Sequence, residues 1–314
     1  VSKRSVPRRW EGELTEIKPL KTIGEAYRWA FSILRESGGE QARFEAELLL
    51  RHLLDRDRTR FFVGLEDPFP GDRLSILRDW LERRMAGEPV QYILQEQEFY
   101  GRPFRVSPAV LIPRPETEIL AESVLEEADR IVGESRPLSV CDVGTGSGAL
   151  AVTLAAERSR WTLWATDISF AALEVARNNA RRNGVDGRIR FFQGEWLSPL
   201  LQRGIRVDVV VSNPPYIPSK EIPTLERQVR DFEPRISLDG GEDGLDAYRR
   251  IVAQIPEVLR LPGLVAFEVG MGQSRQVAKL LEALPLSVSV RILPDLAGIE
   301  RVVLGRIGQK RRRE

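Results

Sequence analysis

The chain has 314 residues, 42% hydrophobic and 30% charged, the balance of an ordinary soluble protein of about two domains. Lys+Arg 47 against Asp+Glu 46 leave a net charge of +1, which argues against a global positive field that would draw in nucleic acid. Cys141 and His52 are the only residues of their kinds, which excludes an intrachain disulfide and leaves almost no room for a zinc site or a Ser-His-Asp triad.

The first segment, residues 1–21, carries Lys3, Arg4, Arg8 and Arg9 and reads as a basic, disordered extension. It has no apolar stretch of the secretory kind, and no segment is apolar enough for a membrane span, so a cytoplasmic protein is expected. Residues 22–89 have helical periodicity. Ile23, Ala26, Tyr27, Ala30, Phe31 and Leu34 form one stripe, and Gly38-Gly39 stops it. Phe44, Leu48, Leu49 and Leu53 form a second stripe, and Leu74, Leu77, Trp80, Leu81 and Met85 a third. A small helical bundle follows, with these residues in its core.

Residues 90–112 change texture. Tyr92-Ile93-Leu94 and Glu98-Phe99-Tyr100 lead through Gly101-Arg102-Pro103 to Phe104-Arg105-Val106, the pattern of a β-hairpin bridging two domains. Residues 113–307 form the second domain. Ile112-Pro113-Arg114-Pro115-Glu116-Thr117-Glu118 opens a helix running to about Ile131, with acids placed to suit the helix dipole. Arg114 and Glu116 either border a site or serve capping and ion pairing. Apolar runs then alternate with helical stretches. The runs are 138–143, 161–166, 189–192, 207–211, 264–269, 288–293 and 302–304; helices are expected over 148–157, 170–182, 246–259 and 274–283. This is the signature of an α/β fold with a doubly wound, mostly parallel sheet and an antiparallel edge. Residues 308–314 are a second basic tail.

Two loops of this domain carry chemistry. Val140-Cys141-Asp142-Val143 leads into Gly144-Thr145-Gly146-Ser147-Gly148, a strand, a glycine turn and a helix, and Asp167 ends the next strand where an acid takes ribose hydroxyls. No Lys follows the glycines, so the loop is not a triphosphate cradle, and the G-x-G-x-G spacing is not that of a dinucleotide loop. A carboxylate at Asp142 disfavours a pyrophosphate and favours a cation. S-adenosyl-L-methionine, with a sulfonium, an ammonium and no phosphate, meets that requirement. Gln193-Gly194-Glu195-Trp196 closes the third strand; Trp196 either covers the adenine or packs for area alone. Asn213-Pro214-Pro215-Tyr216 follows the strand at 207–211. The prolines stiffen the loop and leave carbonyls free, and Asn213 adds an acceptor beside them, so the loop can hold a planar NH2 group.

Taken in this order, the glycine loop, Asp167, Gly194-Glu195-Trp196 and Asn213-Pro214-Pro215-Tyr216 resemble class I, Rossmann-like methyltransferases acting on planar NH2 groups. Phe99-Tyr100-Gly101, the Ile112–Glu118 segment and the helical N-terminal domain narrow the resemblance to the HemK/PrmC family, protein-(glutamine-N5) methyltransferases of peptide chain release factors. The resemblance spans roughly Ile23 to Arg306. It implies methylation of the Gly-Gly-Gln glutamine of a class 1 release factor by a monomeric cytoplasmic enzyme that binds no DNA or membrane. Gly144, Thr145, Gly146, Ser147, Gly148, Asp167, Trp196 and Asn213 would hold the cofactor. Asn213, Pro214, Pro215 and Tyr216 would grip the glutamine, with Asn213, Pro214 and Tyr216 in catalysis; the helical domain would recognise the protein substrate. An adenine-N6 nucleic-acid methyltransferase is the alternative, and the balanced charge weighs against it.

Overall fold

The computed structural model describes residues 20–36, 41–132 and 137–309. Most of both basic ends, residues 1–19 and 310–314, lies outside the described residues. The chain divides into two compact units, one reaching Gln95 with the addition of Arg227–Phe232, the other formed by Glu96–Glu226 and everything from Glu233 on.

The first unit is helical: α1 (Ile23–Glu36), α2 (Ala42–Leu53), α3 (Arg58–Val63), α4 (Leu74–Met85) and α5 (Val90–Leu94). Ile23, Ala30, Leu34, Leu77 and Leu81 are buried in its core, as their spacing predicts. The second stripe is displaced from the expected one. Ala46, Leu49, Leu50 and Leu53 face the core, while Phe44 is 53% exposed. Those four stand at i, i+3, i+4 and i+7, and Phe44 falls off that face. The Asp57 carboxylate caps α3 by accepting the Arg60 N–H at 2.8 Å. Tyr92-Ile93-Leu94 belongs to the helix α5, not to a hairpin strand. Pro89 precedes the helix, and Gln95 ends it in the left-handed region at φ 58°.

The second unit opens with the hairpin, now confined to β1 (Glu96–Phe99) and β2 (Arg102–Arg105). Tyr100 and Gly101 turn it with φ of 53° and 67°. Then come α6 (Glu116–Val132), β3 (Ser139–Val143), α7 (Ala149–Glu157), β4 (Thr162–Asp167), α8 (Phe170–Arg182), β5 (Ile189–Gln193), α9 (Ser198–Leu201), β6 (Val207–Ser212), α10 (Asp246–Val258), β7 (Leu259–Glu268), α11 (Ser274–Glu282), β8 (Ser287–Pro294) and β9 (Glu300–Gly308). The sheet runs β5-β4-β3-β6-β7-β9-β8. Its first five strands are parallel, and β9 pairs antiparallel with both β7 and β8.

Both faces of the sheet are covered, which explains why the strands read as unbroken apolar runs. In β6, Val209 and Val211 enter one core with α6 and α7, and Val210 enters the other with α10 and α11. The hairpin is anchored in this unit through Phe99 and Phe104 in the first of those cores. The order reverses between β3 and β6, so the loops after these two strands stand side by side at the sheet's C-terminal edge. Open α/β sheets bind ligands at that place. No helix among the described residues is long and apolar enough to cross a membrane.

Candidate active site

A cavity of about 260 Å³ opens at this edge. Of the residues expected to hold a cofactor, Gly144, Thr145, Gly146, Ser147, Asp167, Trp196 and Asn213 border it; Gly148 does not. Of the substrate loop, Asn213 and Pro215 border it, whereas Pro214 and Tyr216 do not.

Gly144 and Gly146 take φ of 72° and 54°, conformations that L side chains rarely adopt. Gly148 takes a positive φ as well, 83°, and serves packing too, since a β-carbon there would lie 3.1 Å from that of Ala176 on α8. Asn179, buried on α8, ties the loop to the hairpin. Its Nδ2 donates to the carbonyls of Ser147 at 2.8 Å and Arg105 at 2.9 Å, and its Oδ1 accepts the Arg105 N–H at 2.7 Å.

Asp142 is buried below the loop. Its Oδ2 accepts from the Thr145 hydroxyl at 2.6 Å and from the Ala151 N–H at 3.1 Å. Its Oδ1 is buried with no hydrogen-bond partner. Burial pushes the Asp142 carboxyl up to about 7, against the pull of the Thr145 and Ala151 bonds. A buried carboxylate with one oxygen unmatched, on the wall of a cavity, suits a ligand bearing positive charge and N–H donors. Asp167 accepts the Gly146 N–H and the Ser169 N–H at 2.9 and 2.8 Å, one on each oxygen. Burial raises its pKa too. Each oxygen keeps a lone pair for a hydroxyl donor. Trp196 borders the cavity with φ 50°, and its indole Nε1 is buried without an acceptor. Glu195 forms an exposed pair with Arg250 at 3.4 Å.

The substrate loop is held from behind. Thr117, buried in the first turn of α6, donates its hydroxyl proton to Glu268 Oε2 at 2.6 Å and accepts from Asn213 Nδ2 at 3.0 Å. Glu268 ends β7, is 2% exposed, and has its ionised form favoured by the nearby Asn213 side chain. Burial raises its carboxyl to about 7, partly offset by Thr117, Arg301 and Asn213. With its Nδ2 so engaged, the free edge of the Asn213 amide is Oδ1. No N–H of the described residues donates to the Pro214 carbonyl. Tyr216 packs into the core beside α10 and α11, and burial lifts its hydroxyl to about 12. Its carbonyl accepts from Gln273 Nε2 at 2.8 Å. Arg114 borders the cavity and pairs with the buried Glu233, which also accepts the Ile112 N–H at 3.2 Å.

Residues 25–94 match the PrmC N-terminal domain, and residues 117–230 match the methyltransferase small domain. A release factor glutamine methyltransferase of Moorella thermoacetica is 42% identical over 284 residues, covering 90% of this chain and 96% of that protein. The chain belongs to the release factor glutamine methyltransferase family. Members from Bacillus subtilis and Bacillus anthracis are 41% and 39% identical, covering 90% and 91% of this chain and 97% and 99% of their own lengths. Among solved structures, the hMettl16 catalytic domain in complex with MAT2A 3'UTR hairpin 6 is similar in fold, with a TM-score of 0.53 at 15% identity, covering 75% of this chain and 84% of that one. The family's fold is thus the doubly wound sheet described above, with a helical unit before it.

Asp142, Thr117, Glu268, Gln273 and Asn179 have structural parts in this site that sequence reasoning either left unassigned or took for the local motif alone. Asp142 was legible as the acid before the glycine loop. The other four reach their partners in the site across 32 to 151 positions, so no spacing rule points to them.

Proposed function

We propose that this chain, as a cytoplasmic monomer, methylates the side-chain amide nitrogen of the glutamine in the Gly-Gly-Gln motif of a class 1 peptide chain release factor. The observation that carries the reading is Asn213, which borders the cavity with its Nδ2 held by Thr117 and its Oδ1 left as the open edge; the adjacent Pro214 main-chain carbonyl would be the second acceptor. A carboxamide NH2 has two hydrogens to give, and its nitrogen is a weak nucleophile because the lone pair is delocalised. Two fixed acceptors orient that nitrogen and favour the positive charge that grows on it during attack. The proton then leaves to water, and no strong base is required.

S-adenosyl-L-methionine, when bound, supplies a methyl group on a cationic sulfur. Asp142 would meet the positive end of this cofactor, Asp167 its ribose hydroxyls, and Trp196 its base. The glycine loop would let the backbone approach it closely. Tyr216, packed partly buried against the core, would fix the loop rather than stack on the amide. The helical unit would recognise the release factor.

The test is incubation with isotope-labelled methyl donor and a class 1 release factor, followed by mass spectrometric mapping. One labelled methyl on the Gly-Gly-Gln glutamine is expected. Label on nucleic acid, or none on the release factor, would overturn the proposal.

A further inference from the structure

We infer that Glu268, acting through Thr117, is a positioning residue that sets the direction of the Asn213 amide and polarises it toward the reacting nitrogen. This rests on the reading of Asn213 as the clamp of the substrate amide.

The argument is one of proton counting. The Thr117 hydroxyl has a single proton, and it is given to Glu268 Oε2 at 2.6 Å. Toward Asn213, Thr117 has only lone pairs left, so it can meet the NH2 of that side chain and not its oxygen. The observed contact, Asn213 Nδ2 to Thr117 Oγ1 at 3.0 Å, obeys this. Turned over, Asn213 would set its oxygen against the oxygens of Thr117 and Glu268 and its NH2 against the NH2 of the substrate. Three contacts, two between acceptors and one between donors, would then be mismatched at once.

Charge adds to direction. The Asn213 side chain also favours the ionised form of Glu268. An ionised carboxylate behind an amide N–H draws negative charge onto the far oxygen, so Oδ1 becomes a stronger acceptor for the substrate N–H. The groups facing Glu268 are Arg301 from β9, Glu116 and Thr117 from α6, and Asn213 and Tyr216 from the loop after β6. Tyr248 of α10 donates to its main-chain carbonyl at 2.8 Å. Its carboxyl titrates at about 7, so the polarising form gains ground through neutral pH. In the transfer itself the N–CH3 bond forms as the S–CH3 bond breaks, and the nitrogen's proton goes to solvent. Glu268 stays ionised throughout.

The experiment compares the wild-type protein with Glu268→Gln on intact release factor, from about pH 6 to about pH 9. The expected result is a kcat lower by roughly 10- to 100-fold. Both KM values should stay within about 3-fold, and the rise in kcat near neutral pH should be lost. In the protein alone, the Asn213 side-chain amide signals in NMR should titrate near about 7 in the wild type and not in the variant. A kcat within about 2-fold of wild type, an unchanged pH profile, or Asn213 signals that ignore pH would each overturn the inference. A wild type that does not methylate the release factor sinks the functional reading instead, and the NMR titration still decides the coupling. Should Glu268→Gln not fold, Thr117→Val and Thr117→Ser take its place. Valine should lose kcat and serine should keep it; equal behaviour of the two overturns the inference.

Discussion

Gly240 presses on Tyr216. A β-carbon at Gly240 would lie 2.8 Å from the Tyr216 Cα, 2.8 Å from the Pro215 carbonyl oxygen and 2.9 Å from the Gly244 Cα. The Gly240 N–H donates to the Ile217 carbonyl at 2.9 Å, and the Ile217 N–H to the Leu238 carbonyl at 3.0 Å. The segment at 238–244 therefore forms a backing plate for the loop that begins at Asn213.

Gly240→Ala should lower both stability and rate. The atoms in the way are backbone and cannot swing aside, so overpacking should cost about 1–3 kcal/mol. A loop displaced by about 1 Å should slow transfer by around 10²-fold. Differential scanning calorimetry and single-turnover methylation read the two effects; a variant normal in both would show that the plate yields.

Asn213→Ala should slow methyl transfer by about 10²-fold or more, since one of two acceptors is lost where charge develops. Circular dichroism confirms an intact fold, and single-turnover kinetics isolates the chemical step. Near-normal turnover would remove Asn213 from the mechanism.

Asp142→Asn should weaken S-adenosyl-L-methionine binding and flatten its pH dependence. The wild-type carboxyl titrates at about 7, so below that value it is neutral and offers no charge to a cation. Affinity measured by isothermal titration calorimetry should rise as pH increases through about 7 in the wild type and stay level in the variant. Equal affinity for both proteins at alkaline pH contradicts the assignment.

The ligand-free protein should lose stability as pH rises toward neutrality. Asp142 and Glu268 both titrate at about 7, above their ordinary values of 3.8 and 4.5. Between those limits the folded state binds more protons than the unfolded one, so the unfolding free energy falls with increasing pH. The contribution is complete below the ordinary values and gone above about 7. Thermal midpoints across this window should decline in the wild type and decline less in Asp142→Asn.

Glu127 offers a test far from the cavity. It is 2% exposed in its side chain and pairs with Arg130, Arg291 and Arg306, whose side chains are 54%, 47% and 47% exposed. Removing the carboxylate leaves arginines that water can reach, so Glu127→Gln should cost about 1 kcal/mol. Replacing Arg130, Arg291 and Arg306 together by Ala strands a buried charge and should cost about 3–5 kcal/mol. Urea denaturation ranks the two; the reverse order would mean that water reaches Glu127.

Much of this was legible in residue order because the signals are local. The run Val209–Val211 has successive valines buried on opposite faces, and a doubly covered strand has no other pattern to show. The glycine loop and Asn213-Pro214-Pro215 each carry their chemistry within a few positions. Tyr92-Ile93-Leu94 was misread because three apolar residues fit either period, and the deciding features are Pro89 before them and left-handed Gln95 after them. Tyr216 was expected at the reacting group; it does not border the cavity, and its ring packs, partly buried, against the core of α10 and α11. Its side chain takes the direction that Gly270 leaves open, where a β-carbon would come within 3.0 Å of the Tyr216 ring. The Thr117–Glu268 bond joins residues 151 positions apart, and one chain read alone contains no trace of it.

Strand β9 lies between β7 and β8, not at the rim. Translation must therefore pass residue 300 before β7 gains its second neighbour, and until then a long apolar strand keeps an open edge. Such an edge invites pairing with other nascent chains. The finished enzyme hides this hazard completely, so damage to the Glu300–Gly308 segment should show first as poor yield and inclusion bodies, ahead of any change in catalysis.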